Sequence, residues 1–482
     1  MLFNSIDFAI FLPIVFAAYW LIANKGTKEQ NLFLVISSLF FYGYWDWRFC
    51  FLIVASTSID FFLGLALGKR NKAEKREILL YLSLISNLGI LAFFKYFNFF
   101  LENFVEAFSF FGQSISVDGI DIILPVGISF YTFQTLSYTI DVYRNKIEPT
   151  DDFISFLAFV TFFPQLVAGP IERAKNLLPQ FQRSRTFNQI EARDGLKQIL
   201  WGLFKKVVIA DSCAVIVDHI FTHNTELPAS SLLLGAFLFS IQIYCDFSGY
   251  SDMAIGIARL FGFDLMKNFA FPYFSRDVGE FWRRWHISLT SWFKDYVYIP
   301  LGGSRGSKIK ALRNVFVVFI ISGFWHGASW NFIAWGLINA LLFAPLFLEN
   351  KNRSKLDDIG DQPKNMVKDV VSMLITFSLI TLTWIFFRAD DLGHAFQYFH
   401  SLFNSSIFSL PSVEKEGAAL MTLILIGYML IIEWLGRRKG YAIEKLLFNK
   451  SQKIRWIYYS FMIFVIGMYA ETNETPFIYF QF

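Results

Sequence analysis

Charge is scarce in this sequence. Asp, Glu, Lys and Arg supply only 17% of its 482 residues, where an ordinary soluble chain carries about 25%, so much of the surface must face something other than water. Cysteine is scarcer still. Cys50, Cys213 and Cys245 sit singly inside apolar runs with no CxxC spacing, which excludes a disulfide framework and a thiolate metal site and leaves core packing. The net charge of +4 is too small to make nucleic acid the main partner. There is no repeat of fixed period, and no Walker loop, GxGxxG fingerprint, GxSxG elbow or HExxH pair. ATP-driven transport, dinucleotide chemistry and zinc proteolysis are therefore without support.

Apolar residues are abundant instead: 55% of the chain is hydrophobic and 19% aromatic, with 60 Phe, 20 Tyr and 13 Trp. Runs long enough to cross a bilayer, about 20 residues each, recur at 5–23, 31–49, 50–68, 78–100, 121–142, 195–220, 231–252, 314–331, 332–348, 367–388, 417–435 and 455–473. The first has no cation before it and no small-residue cleavage pattern after it, so it is expected to be a retained span rather than a signal peptide. Cationic loops follow at Lys25/Lys28, Lys69–Arg76, Arg144/Lys146, Arg173–Arg185, Arg305–Arg313, Lys351–Lys355 and Arg437–Arg455. Counting spans between them puts every one on one side, the cytoplasmic side, with both termini opposite. The expectation is an all-α, polytopic membrane protein of 11–12 transmembrane helices forming one domain over residues 1–482, with lipid as its solvent.

Two segments break the simple pattern. Phe153 to Pro170 is apolar but lies between cationic loops, so it should enter the membrane and return, with Pro164, Gly169 and Pro170 breaking the helix; the alternative is a helix lying flat on the cytoplasmic surface. Gly279 to Ile299 is too charged to span, and Phe281, Trp285, Leu289, Trp292 and Tyr296 recur at helical spacing. It reads as one amphipathic helix.

Six histidines occur. His326 lies in an apolar run beginning near Asn314, about 18 Å along at 1.5 Å per residue, near the middle of the hydrocarbon core. An ionisable group at that depth points to function, and burial favours the neutral imidazole a general base needs; the alternative is a core histidine satisfied by hydroxyls. His286 shares a helix face with Thr290 and Lys294, where a solvated histidine is the ordinary reading. His219 and His223 are spaced i,i+4 but have no third ligand beyond Glu226, so no metal site is expected. Asp246, Ser248, Tyr250 and Asp252 lie in or beside a span and either line a polar cavity or pair locally.

With these segments in view, the sequence resembles the membrane-bound O-acyltransferase superfamily in its bacterial alginate O-acetylation branch. The stretches RDVGEFWRRWHISLTSWFKDYVYIPLGGSR, SGFWHGASWNFIAWG, IYCDFSGYSDMAIGIARLFGF, FFPQLVAGPIER and WIFFRA carry the resemblance, with the LFNSIDFAIFLP opening and the FIYFQF ending. The resemblance implies a polytopic helical fold around a central tunnel, with His326 and His286 as catalytic residues. It implies a cytoplasmic thioester donor, acetyl-CoA, with no bound cofactor. It also implies an extracytoplasmic relay protein that receives the acetyl group, a polysaccharide acceptor, and residence in the bacterial cytoplasmic membrane. Arg283, Arg284 and Arg305 are candidate anchors for donor phosphates, the alternative being ordinary cytoplasmic anchors at the membrane surface, with Trp325 and Asp246 as further binding candidates. Transfer of D-alanine toward teichoic acids and membrane transport are the rival readings.

Overall fold

The computed structural model describes residues 1–69, 72–110, 119–167, 169–352, 355, 365–414, 416–470 and 477–478. Parts of the cationic stretch 69–76, of the loops 102–118 and 351–355 and of the expected span 455–473 lie outside these residues, as do Ala168 and most of the FIYFQF ending. The described residues form α-helices, joined in places by π- or 3-10 turns, and no strand. The chain divides into two compact units, residues 1–193 with 257–266, and residues 194–256 with 267–482.

Unit one holds α1 (Ile6–Ile22), α2 (Thr27–Gly43), α3 (Arg48–Lys69), α4 (Ala73–Leu91), α5 (Phe97–Phe110), α6 (Ile128–Tyr143), α7 (Phe153–Thr161), α8 (Phe163–Leu166) and α9 (Ala174–Phe181). A buried carboxylate joins three of them. Asp60 on α3 accepts hydrogen bonds from Ser83 at 2.6 Å and Asn87 at 2.7 Å on α4, and from Thr139 at 3.1 Å on α6. Such a network keeps a polar group tolerable in an apolar interior only when its lone pairs are filled.

The expected re-entrant segment is helical, broken and enclosed. α7 stops at Phe162, Pro164 lies in the first turn of α8, and the residues from Ser155 to Val167 are buried. The backbone groups freed by the break are satisfied within the protein, because Phe163 N–H donates to Ser38 Oγ at 3.1 Å and Gln165 Nε2 to the Phe159 carbonyl at 2.6 Å. A helix lying on a surface would expose one face; this one exposes none. Two cations counted toward the cytoplasmic surface, Arg173 and Arg185, also turn inward. Arg185 donates to Tyr19 Oη at 2.7 Å and Asn31 Oδ1 at 2.6 Å.

Unit two holds α10 (Gln189–Leu203, from Asp194), α11 (Asp211–Thr222), most of α12 (Ala229–Leu260), α13 (Val278–Arg284), α14 (Ile287–Phe293), α15 (Lys308–His326), α16 (Trp330–Leu348), α17 (Met366–Arg388), α18 (Leu392–Ser401), α19 (Glu416–Gly436) and α20 (Gln452–Tyr469). Small residues let its helices approach. A Cβ on Gly202 would stand 2.5 Å from the Gly249 carbonyl oxygen, and one on Gly256 2.5 Å from that of Gly195, so α10 and α12 meet backbone to backbone. Gly323 and Gly336 do the same for the α15–α16 hairpin.

Among the described residues, seven helices are long and apolar enough to cross a membrane: α3, the continuous run from α4 through α5, α12, α15, α16, α17 and α19. The protein is thus an all-α, multi-pass membrane protein. The other expected spans are helices that are shorter or more polar: α1 and α2 have 17 residues and α6 has 16. The expected span 195–220 carries Lys205, Lys206 and Asp211 at its middle, where a π-turn over Phe204–Ala210 joins α10 to α11.

That π-turn resolves the two readings of the acidic run on α12 toward pairing. Its widened turn sends two consecutive lysines inward. Lys205 reaches Asp252 at 2.7 Å and Ser248 at 2.8 Å, while Lys206 reaches Asp246 at 2.7 Å and Asp211 at 2.8 Å.

Candidate active site

The amphipathic segment is two helices, not one. α13 ends at Arg284, and His286 adopts φ 42° and ψ 55° before α14 begins. A left-handed backbone at a residue with a Cβ costs on the order of 1 kcal/mol and persists only where its surroundings impose it. The surroundings are residues 268–270, which run beside the break: Ala270 N–H donates to the Arg284 carbonyl at 2.9 Å, and Ile287 N–H to the Asn268 carbonyl at 2.8 Å. The break turns the imidazole inward. His286 is 2% exposed rather than solvated, and burial pushes it down to about 3, so the ring is neutral in the folded protein.

His326 is the last residue of α15, which begins at Lys308, earlier than the sequence suggested, and stops on Gly327. It too is buried, and rings hold it from several directions: Trp325 at 4.9 Å between centroids, Phe387 at 5.2 Å and Trp335 at 5.3 Å. Trp384 stacks on Trp335 at 5.5 Å. The WIFFRA stretch, which the sequence offered only as part of a resemblance, therefore supplies Trp384 and Phe387 to the wall around this histidine.

Both histidines open on one cavity of about 540 Å³ inside unit two. Its lining is largely apolar, with Trp282, Leu289, Phe293, Val318 and Phe319 among its walls. Thr290 and Lys294, which share the His286 side of the segment, also line it, and exposed Lys294 marks where it reaches solvent. Of the arginine candidates only Arg283 lines the cavity, and it already donates to the carbonyls of Asn352 and, at 2.8 Å, Lys355. Arg284 turns to Glu280 at 2.7 Å. Arg305 is exposed and outside the lining. Trp325 stands behind both histidines, 6.2 Å from the His286 ring. Asp246 lies away from the lining, held by Lys206 and the Ile478 N–H at 2.7 Å.

Elsewhere, the His219 and His223 rings lie with centroids 4.6 Å apart, tilted to one another, and His219 reaches Glu414 rather than Glu226. Among the described residues no three metal-ligating side chains converge. Sequence reasoning missed Asn268 and Ser251, which stand behind His286. Ser251 lies within the IYCDFSGYSDMAIGIARLFGF stretch without a role of its own there, and nothing in the local pattern marks Asn268, because the break brings their partner to them.

The chain belongs to the membrane-bound O-acyltransferase family, whose sequence profile matches residues 6–347. It is 38% identical over 448 residues to the probable alginate O-acetylase AlgI of Pseudomonas aeruginosa, covering 92% of this chain and 82% of that one. It is 36% identical over 450 residues to the peptidoglycan O-acetyltransferase of Helicobacter pylori, covering 87% and 83%. Similarity to the teichoic acid D-alanyltransferase of Streptococcus thermophilus is narrower, at 30% over 291 residues and 54% of this chain. The protein is accordingly a membrane-embedded O-acyltransferase.

Proposed function

We propose that this enzyme takes an acetyl group from acetyl-CoA at the cytoplasmic face of the bacterial inner membrane and passes it outward for O-acetylation of an extracytoplasmic polysaccharide, alginate or another cell-envelope glycan. The immediate acceptor is a hydroxyl of a relay protein, which hands the acetyl on to the sugar. The observation that carries this reading is the convergence of His286 and His326 on a single cavity whose rim bears Lys294 and Arg283. A cationic rim suits the phosphates of a thioester donor, and an apolar bore suits its acyl end.

In this mechanism the acceptor oxygen adds to the thioester carbonyl while the His326 imidazole takes its proton. Collapse of the tetrahedral intermediate breaks the carbon–sulfur bond, and the imidazolium returns the proton to the departing thiolate. The carbonyls at the C-terminal end of α15 favour the transient positive charge on His326. His286 orients the donor beside it. Against D-alanyl transfer stands the greater similarity, over most of the chain, to proteins named as O-acetylases.

The test is transfer of radiolabelled acetyl from acetyl-CoA in membranes containing this protein, with and without the candidate relay protein. Label should reach relay protein or glycan only with His326 intact. Equal transfer by wild type and His326→Ala would remove the role of His326, and consumption of a D-alanyl carrier in place of acetyl-CoA would replace the donor.

A further inference from the structure

Asn268 meets His286 side chain to side chain. His286 Nδ1 lies 2.8 Å from Asn268 Oδ1, and the Ser288 hydroxyl donates to the same oxygen at 2.9 Å. The identity of that atom follows from its neighbours. The Ser288 backbone N–H also points at it, at 3.4 Å, and a backbone N–H can only donate, so the atom must be the amide oxygen. The amide nitrogen faces the other way and donates to Ser251 Oγ on α12 at 3.0 Å. An oxygen facing Nδ1 requires a proton on Nδ1. In the neutral ring Nε2 is then the bare nitrogen, and it is buried with no hydrogen-bond partner among the described residues.

We propose that Asn268, oriented by Ser251, is a positioning residue that fixes His286 in its Nδ1-protonated tautomer and so presents the Nε2 lone pair to the acyl-transfer cavity. The same residue organises the backbone there, since its main-chain carbonyl and side-chain oxygen take the first two amides of α14, those of Ile287 and Ser288. Phe247, 4.6 Å from the imidazole centroid and edge-on to it, holds the ring from the α12 side, and Trp325 holds it from α15. An acceptor nitrogen in an apolar cavity suits a donor hydrogen, from a hydroxyl or the amide of a pantetheine arm. With its tautomer free to exchange, the ring would present that acceptor only part of the time.

The titratable groups on the packed elements are engaged elsewhere or belong to the site. Lys205 and Asp252 pair with each other beyond Ser251, Glu280 is held by Arg276 and Arg284 on α13, Lys267 adjoins Asn268 and donates to the Lys439 carbonyl, and His326 shares the cavity.

The test reads the tautomer directly. Nitrogen-15 NMR of histidine-labelled protein in detergent or bilayers, with the His286 signals assigned through His286→Asn, should show a single tautomer protonated at Nδ1. Asn268→Ala should release it to a mixture and lower acetyl turnover tenfold or more. Asn268→Asp keeps an acceptor opposite Nδ1 but adds charge, so it should keep the tautomer and raise the protonation midpoint of His286 by about one unit or more. If Asn268→Ala does not fold, Ser251→Ala, which removes only the group that orients the amide, should give a smaller shift of the same kind. A wild-type ring protonated at Nε2, or an Asn268→Ala protein with an unchanged tautomer, overturns the proposal. Only the kinetic arm rests on the acetyl-transfer reading: absence of acetyl turnover in wild type would defeat that reading while the NMR result still decides the role of Asn268.

Discussion

Two of the places where unit two buries ionisable groups treat them oppositely. Along α12, each buried charge has an opposite partner at hydrogen-bond distance: Lys205 with Asp252, Lys206 with Asp246 and Asp211. Around the cavity the buried ionisable groups are two histidines walled by aromatic rings, with His286 neutral and its Nε2 buried with no hydrogen-bond partner among the described residues. The desolvation cost of burying a full charge makes pairing a structural necessity in the first place. In the second it keeps His286 neutral at rest. The same apolar surroundings thus build a strut from one set of groups and the proposed reactive site from the other, according to whether a countercharge lies within reach.

Mutations should separate the two roles, the largest effect coming from the reactive one. His326→Ala is expected to lower acetyl transfer by about 10² to 10⁴-fold while leaving the melting temperature of the solubilised enzyme unchanged. Lys206→Met should do the reverse. It leaves buried carboxylates unpaired at a cost of about 3–5 kcal/mol, read as lost thermal stability, and adding Asp246→Asn should recover most of it; unchanged stability in the single variant would show that the pair is not a strut. Gly256→Leu pushes a side chain into the Gly195 carbonyl and should cost about 1–3 kcal/mol, again in stability rather than in the turnover of the folded fraction. Smallest is Lys294→Gln at the cavity rim, expected to raise the donor KM severalfold at constant kcat, with Arg305→Gln, outside the lining, silent in both.

The legibility of the sequence followed the same division. His326 could be found because an ionisable residue in an apolar run is conspicuous. The spanning helices were readable from hydropathy wherever they were long, although several expected spans proved shorter or more polar. His286 was harder. Phe281, Trp285, Leu289 and Trp292 keep helical spacing across the break, so periodicity describes one continuous helix and assigns the histidine to a solvated face. Its burial was hinted at only by resemblance to a family motif. Asp246 and Asp252 were ambiguous because their lysines lie about forty residues upstream and turn inward through a π-turn that no propensity foretells. Asn268 and Ser251 were invisible because their meaning depends on where His286 arrives.

The left-handed backbone at His286 bears on how its imidazole is removed by mutation. Alanine there deletes the ring but also places an ill-suited residue at φ 42°, so any fall in activity mixes lost chemistry with a relaxed chain. Asparagine tolerates that conformation better than other residues with a side chain beyond glycine's hydrogen. His286→Asn should therefore preserve the turn between α13 and α14 while taking the imidazole away, and the difference between the asparagine and alanine variants isolates what the shape of the chain contributes apart from the ring.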